Sequence, residues 1–361
     1  MYKLSESDFI WSRFCAVKNA LEKYILHLLS NETFAINVAS KFEDVLRHCD
    51  EIDYSDGETA VAYCILHFLP RYRMFQMIYS KLSDKHILPI RRNPIRTLDI
   101  GTGPGPSMYA LSDIFRSLVN IGVIKPDIQH IPDYVEKSIG FRNTLHHFTE
   151  VANAYHSVDD MGWNVPYHHG SFDDFTDIDF NPTLISYWNS PRTIRFRFDV
   201  ITCSNFFTTL DQVKAQEKEI RDCVRYLRHK GLFIVIGARR GRSDITNKNY
   251  KKIYDSIKET IINTDYSKPV YSAWASCVSI KNHTFFVDTS DKYGQVIAEF
   301  YRSIMRIFRE RGYEQYIPEN VRDSIMKCLN PDYKFHNYCE VHVFKKFAFP
   351  KRHKYKRRYK K

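Results

Sequence analysis

Three glycines, one carboxylate and two hydroxyls fall within nine positions of this chain, in the run Asp99-Ile-Gly-Thr-Gly-Pro-Gly-Pro-Ser107. Glycine at every second position opens backbone dihedrals closed to other residues and leaves no Cβ between chain and ligand. A ligand can therefore lie against bare main chain, beside the free N–H groups that begin a helix. The flanking residues supply the elements that would hold such a turn. Ile95, Leu98 and Ile100 predict a short apolar strand before it. Met108, Leu111, Ile114, Phe115 and Leu118 recur at helical spacing and predict a helix from Ser107 to Val119.

Two ligand classes use a strand, glycine turn and helix in this order. The dinucleotide fingerprint is G-x-G-x-x-G. Here the pattern is G-x-G-x-G, with Asp99 two positions before the first glycine. That pattern resembles motif I of the class I S-adenosylmethionine (SAM) methyltransferases. The resemblance implies that Asp99 lies beside the methionine moiety, with Gly101, Thr102, Gly103 and Gly105 packed around the cofactor. It also implies a carboxylate at the end of the second strand, where two acceptor oxygens suit two adjacent ribose hydroxyls. Asp133 and Glu136 are the candidates. Glu136 is favoured, because Tyr134-Val-Glu-Lys-Ser138 looks like the family's strand end and a helical run, Phe141 to Ala154, follows.

Tyr167-His-His-Gly-Ser-Phe-Asp-Asp174 resembles the family's third strand and loop, which makes Ser171, Phe172 and Asp173 the adenine-side candidates. Phe198 to Asn205 is the fourth strand, with the continuous apolar core of a buried parallel position. Ser204, near its carboxyl end, completes the cofactor-binding set. Phe206 to Leu210 then occupies the place of substrate-facing residues. Asn205 is followed by Phe206 and Phe207, so the Asn-Pro-Pro-Tyr motif of amine and base methylases is absent. An amphipathic helix from Gln216 to Leu227 is expected to end at the turn Arg228-His-Lys-Gly231. Leu232 to Ala238 follows as the fifth strand. Arg239-Arg-Gly-Arg-Ser243, at its carboxyl end, reads as a solvated basic loop or an anion contact.

Residues 1–90 read as helices. Phe9, Phe14, Val17, Leu21 and Ile25 mark one, and Val38, Phe42 and Val45 a second. Two more, around Val61 to Leu69 and Tyr72 to Leu82, are expected to be split by Pro70. Toward the carboxyl end, helices are expected at Tyr250 to Thr264, Gln295 to Arg311 and Val321 to Leu329. Val270 to Ser279 and Thr284 to Val287 have separate β-like patterns. Tyr338 to Phe347 alternates as the final strand, expected antiparallel at the sheet's end.

The 361 residues are 43% hydrophobic and 26% charged, a globular composition. The net charge is +11, yet Lys345 to Lys361 alone hold ten Lys/Arg and no acid, which leaves +1 on the other 344 residues. Such a tail, with Tyr355 and Tyr359 interleaved, suits phosphates and bases; the plain alternative is a solvated end. The eight cysteines include no C-x-x-C pair, and the pairs His146-His147 and His168-His169 have no ligand partners at metal spacing, so no metal is expected. The polar, acidic start and the lack of a long apolar run predict a cytoplasmic protein with no membrane contact.

The expected fold is α/β: a Rossmann-like class I methyltransferase with a seven-stranded, mostly parallel sheet and a helical N-terminal extension. The expected organisation is a helical extension over 1–90, serving as lid or dimer interface, a SAM-binding domain over 91–347 with insertions in 240–335, and a basic tail over 348–361. Ala60-Val-Ala-Tyr63, Pro70-Arg-Tyr72 and the glycine segment also look like the methyltransferase-like proteins of mitochondrial ribosomal small-subunit assembly, though without that family's cysteine cluster. The function expected is SAM-dependent methyl transfer to RNA, possibly ribosomal. The alternatives are a small-molecule or peptide acceptor, or a non-catalytic RNA-binding factor.

Overall fold

The computed structural model describes residues 4, 8–48, 52–90, 92–128, 130–156, 171–172, 198–238, 244–264, 275–287, 293–328 and 339–350. The chain opens with α1 (Asp8–Leu28), α2 (Glu32–His48) and α3 (Gly57–Tyr63). Asp56 caps α3, accepting from the Thr59 N–H at 2.6 Å and from its hydroxyl at 2.8 Å. This satisfies one of the donors that a helix start leaves open. A π turn, Cys64–Phe68, then runs straight into α4 (Leu69–Asp84).

Pro70 therefore does not split the helix. It sits in the first turn of α4, where a missing N–H costs least. The wider π turn before it absorbs the misfit with the preceding carbonyls. Leu66 O, four residues before Pro70, accepts from the Tyr301 hydroxyl at 2.7 Å.

The α/β part follows as β1 (Ile95–Ile100), α5 (Pro106–Asn120), β2 (His130–Val135), α6 (Ile139–His156), β3 (Ser171–Phe172) and β4 (Phe198–Ser204). Next come α7 (Leu210–Ala215), α8 (Glu217–Tyr226), β5 (Leu227–Ala238), α9 (Asp244–Ile262) and β6 (Ala275–Val287). The chain closes with α10 (Tyr293–Glu310), a 3-10 turn (Tyr313–Tyr316), α11 (Glu319–Cys328) and β7 (Cys339–Pro350). The seven strands form one sheet in the order β3-β2-β1-β4-β5-β7-β6. β1 to β5 are mutually parallel, and β7 runs antiparallel to both β5 and β6. β7 is thus inserted one strand in from the border, and β6 takes the edge.

Two further expectations change. Residues 228–231 do not close a helix in a free turn; they are an expanded bulge at the start of β5. Phe198 pairs with Leu227 and Val200 with Leu232, so β5 carries extra residues there. The bulge is tied down by Arg228, which donates to Asp199 at 2.8 Å and to Pro94 O at 3.2 Å. The two β-like patterns after residue 270 form one strand, because β7 pairs along the whole of β6, from Ala275↔Pro350 to Val287↔Cys339.

Helices cover both faces. One core joins α1–α6 and α10–α11 to Val200, Ile234, Ile236, Val341 and Val343. The other packs α7–α9 on Leu98, Ile100, Ile201, Cys203 and Phe233. The N-terminal helices and α10 form one layer. Tyr293 packs edge-on to Trp11 and Phe14, each with ring centres 4.8 Å apart, and Phe308 packs on Phe42. A fully buried ion pair, Arg13 Nε to Asp113 Oδ1 at 2.7 Å, fastens α1 to α5. Tyr72 donates to the other Asp113 oxygen, and Gln76 donates to Tyr72 at 3.0 Å. Among the described residues, no helix is long and apolar enough to cross a membrane.

Candidate cofactor site at the glycine turn

The turn after β1 lies at the carboxyl edge of the parallel strands, where ligands of open α/β sheets bind. Its shape is set by Val135 O, at the end of β2, which accepts from both Gly101 N (2.9 Å) and Thr102 N (3.2 Å). Gly101, Gly103 and Gly105 all have positive φ, at 67°, 56° and 88°. Their surroundings differ. A Cβ at Gly101 would stand 2.9 Å from the Phe206 ring, and one at Gly105 would stand 2.4 Å from Leu145. A Cβ at Gly103 meets nothing closer than Phe141, at 4.0 Å. Packing thus demands glycine at 101 and 105, whereas Gly103 presents open backbone. A stacked and edge-on trio, Phe141 with Tyr54 and Tyr63, stands beside it. The loop carrying Tyr54 lies directly on Gly140, where a Cβ would be 2.3 Å from Tyr54 O.

Two buried carboxylates flank the turn. Glu136 follows β2; its Oε2 accepts from Gly103 N at 2.7 Å and its Oε1 from Ser138 N at 2.8 Å. Burial raises its pKa, and those N–H donors and the Arg142 charge oppose the rise. Asp99 accepts from the Thr102 hydroxyl at 2.7 Å and from Ser107. Burial pushes Asp99 up to about 7, against these hydrogen bonds and with the Glu136 charge adding to the rise. The rival candidate at β2, Asp133, is engaged elsewhere. Its carboxylate takes the Arg96 guanidinium at 3.1 Å inside the sheet, and burial pushes it to about 7.

Ser204 ends β4, one residue past the Ile100↔Cys203 pairing. Its hydroxyl is buried and takes no hydrogen bond among the described residues. A buried polar atom left in this way is a place for a ligand atom. Ser171 and Phe172 form β3, paired with Tyr134 and Val135, so their main chain borders the Glu136 end of the site. Asp173, Arg239 to Ser243, His168-His169 and the basic tail from 351 lie outside the described residues. His146 Nε2 is 2.8 Å from the Tyr134 hydroxyl, and no metal-holding group of His, Cys, Asp or Glu occurs among the described residues.

Two residues at the site escape sequence reading. Ile139, half exposed at the start of α6, sets an apolar side chain just beyond Glu136. Tyr79, from α4, reaches the Ser107 hydroxyl at 2.7 Å and the Thr202 hydroxyl at 3.0 Å. The apolar position directly after Glu136-Lys-Ser138 is a signal that marks Ile139; nothing local marks Tyr79.

Parallel β1–β5, an antiparallel β7 between β5 and β6, and a glycine turn after β1 decide the fold. It is the class I methyltransferase fold. No protein-family model matches the chain, and no curated protein matches it. Solved structures that it resembles include the CcbJ methyltransferase from Streptomyces caelestis, at 18% identity and a TM-score of 0.29, covering 47% of this chain and 53% of that one. The plantazolicin methyltransferase BamL, solved with a triazolic desmethylPZN analogue and SAH, is 11% identical with a TM-score of 0.37, over 87% and 97% of the two chains. A Haemonchus contortus phosphoethanolamine N-methyltransferase 2, solved with S-adenosyl-L-methionine, is 12% identical with a TM-score of 0.34, over 84% and 59%. The chain thus spans about half the length of the first of these.

Proposed function

We propose that this chain is a SAM-dependent methyltransferase. The observation that carries the reading is the pair of buried carboxylates, Asp99 and Glu136, on either side of the open Gly103 backbone. No cation is among the groups that set the Asp99 charge. A cationic ligand at this turn favours the ionised carboxylates that burial disfavours. SAM is such a ligand, with a sulfonium and an ammonium, and it also has two ribose hydroxyls to donate.

The residues fit it by type. Glu136 accepts from the ribose, Gly103 leaves its backbone bare, and Ile139 offers an apolar surface to the adenine. Asp99, Thr102 and the Ser204 hydroxyl serve the amino-acid end. Gly101 and Gly105 keep the turn closed against Phe206 and Leu145. Ser171, Phe172 and Asp173 complete the adenine side. The bound sulfonium supplies a methyl group that is already activated, so the protein's task is to exclude water and align the acceptor.

Calorimetric titration with SAM and S-adenosylhomocysteine tests this reading. Micromolar binding by the wild type, lost in Gly103→Asp, is the expected result. A wild type that binds neither overturns it.

RNA is the acceptor class we favour, on the ten Lys/Arg of Lys345 to Lys361. Truncation after Pro350 keeps all of β7 and removes eight of those charges. A fluorescein-labelled single-stranded RNA is the probe. The expected result is weaker, less salt-dependent RNA binding with unchanged SAM affinity. Unchanged RNA affinity points instead to a small-molecule or peptide acceptor. RNA binding without SAM binding points to a non-catalytic RNA-binding factor.

A further inference from the structure

We propose that Tyr79, on the N-terminal helical layer, is a positioning residue of the cofactor site: its hydroxyl orients Ser107 so that Ser107 donates to Asp99. The inference deepens the methyltransferase reading by giving the extension a part in cofactor binding. It stands on a hydrogen-bond chain whose polarity the chemistry fixes.

An ionised carboxylate only accepts, so Ser107 donates its one hydrogen to Asp99. Ser107 Oγ is then left as an acceptor. The Tyr79 hydroxyl, 2.7 Å away, must donate to it. Tyr79 in turn has spent its hydrogen, so the Thr202 hydroxyl at 3.0 Å donates to Tyr79. The chain runs Thr202 to Tyr79 to Ser107 to Asp99, and every donor points toward the carboxylate. Thr202 is also the register partner of Asp99 across β1 and β4, so the chain starts and ends on neighbouring strands. It passes between them through a residue of α4.

Such a chain strengthens the last donor, because each hydroxyl is polarised by the one behind it. Its members are fully enclosed: Tyr79 has no exposed surface, Ser107 3% and Thr202 2%. Water therefore does not replace the Tyr79 hydroxyl once it is removed. The groups facing Asp99 are Thr102 in the turn, Ser107 on α5, Tyr79 on α4, Cys203 on β4 and Glu136 after β2. Glu136 opposes ionisation and the cysteine and tyrosine are neutral, so the ionised form depends on its hydroxyl donors. When Asp99 takes a proton, the polarity has reason to reverse, with Asp99 donating to Ser107. Tyr79 thus ties the charge at the glycine turn to the packing of α4.

Two measurements on the full chain test this separately from the cofactor reading. The first needs no ligand. With aspartate labelled with 13C at its carboxyl, the Asp99 resonance is titrated in wild type, Tyr79→Phe and Ser107→Ala, and assigned by its loss in Asp99→Asn. We expect the Asp99 midpoint to move up by about half to one pH unit in both test variants. The second is SAM affinity at pH 7, expected to fall about three- to tenfold in Tyr79→Phe. Gly237→Ala, far from the chain of hydroxyls, controls for general loosening and is expected to leave the Asp99 midpoint in place. Unmoved midpoints in folded Tyr79→Phe and Ser107→Ala overturn the positioning role, whatever SAM does. A moved midpoint in a protein that binds no SAM keeps Tyr79's hold on Asp99 and overturns the cofactor reading on which its purpose rests.

Discussion

The Tyr301 hydroxyl donates to Leu66 O across 2.7 Å, joining α10 to the π turn before α4. Pro70, four residues on from Leu66, has no N–H to give that carbonyl. The bond therefore does two things: it allows a proline inside a continuous helix, and it fastens the C-terminal helices to the N-terminal layer. Tyr301→Phe keeps the ring and leaves a buried carbonyl short of a donor. We expect a loss of about 1–2 kcal/mol in urea unfolding, with SAM affinity unchanged. An unchanged midpoint means that the π turn satisfies Leu66 by itself.

Asp113 and Arg13 have no exposed side-chain surface, and Tyr72 and Gln76 complete their network. Asp113→Ala leaves the guanidinium buried without its counter-charge, which costs about 3–5 kcal/mol. The double change Arg13→Met with Asp113→Leu removes both charges and is expected to recover most of that loss. Thermal midpoints of the three proteins check this. A double variant no better than Asp113→Ala alone means that packing, not charge, is what α1 and α5 share there.

At the end of β5 a single glycine makes room for an aromatic side chain. A Cβ on Gly237 would stand 1.2 Å from the Tyr254 hydroxyl, while the Tyr254 ring stacks on His342 at 4.4 Å. His342 is fixed by Glu340 at 2.9 Å and by Thr284 at 3.2 Å. The ring has no free direction in which to retreat. Gly237→Ala is expected to destabilise by about 2–3 kcal/mol. Adding Tyr254→Phe removes the clashing oxygen, which is itself without a hydrogen bond among the described residues, and should restore part of the loss. Denaturant midpoints of the single and double variants read this directly.

Ser204 yields a prediction of opposite sign in two assays. Its buried, unbonded hydroxyl does nothing for the free protein, so Ser204→Ala is expected to leave stability unchanged or slightly raised. The same change should weaken SAM binding about two- to tenfold. Equal affinity in wild type and variant removes Ser204 from the cofactor site.

Much of the site is legible in sequence because its signals are local. β1, the glycine turn and α5 are contiguous, and Asp99, Gly101, Gly103 and Gly105 declare themselves by spacing. Glu136 follows from the strand end. What is not legible comes from long-range partners. Tyr79 and Thr202 are 123 residues apart, and Tyr301 and Leu66 are 235 apart. Pro70 reads as a breaker only while Tyr301 is out of view. Residues 228–231 read as a turn because the pull of Asp199 and Pro94 on Arg228 is tertiary. Which glycine faces the ligand is likewise hidden, since Phe206 and Leu145 decide it from other elements.

The charge of Asp99 links binding to pH. Its pKa rises from 3.8 in the unfolded chain to about 7 in the fold, mainly through burial. A raised carboxyl stabilises the fold fully below the unfolded value and loses that contribution as pH climbs through about 7. Asn cannot ionise, so Asp99→Asn should match the wild type near pH 4 and become the more stable protein by pH 8. The difference is on the order of 3 kcal/mol. Cofactor binding has the reverse sign. A cationic ligand needs the carboxylate, so wild-type SAM affinity is expected to rise between pH 6 and pH 8, with a proton released on binding at the lower end. Asp99→Asn should bind weakly at every pH. Urea midpoints at pH 6, 7 and 8 and calorimetry in two buffers of different ionisation enthalpy read both halves. An Asp99→Asn protein that is no more stable at pH 8, or wild-type binding that releases no proton at pH 6, means that Asp99 is already ionised in the free protein and that the ligand meets a charged turn.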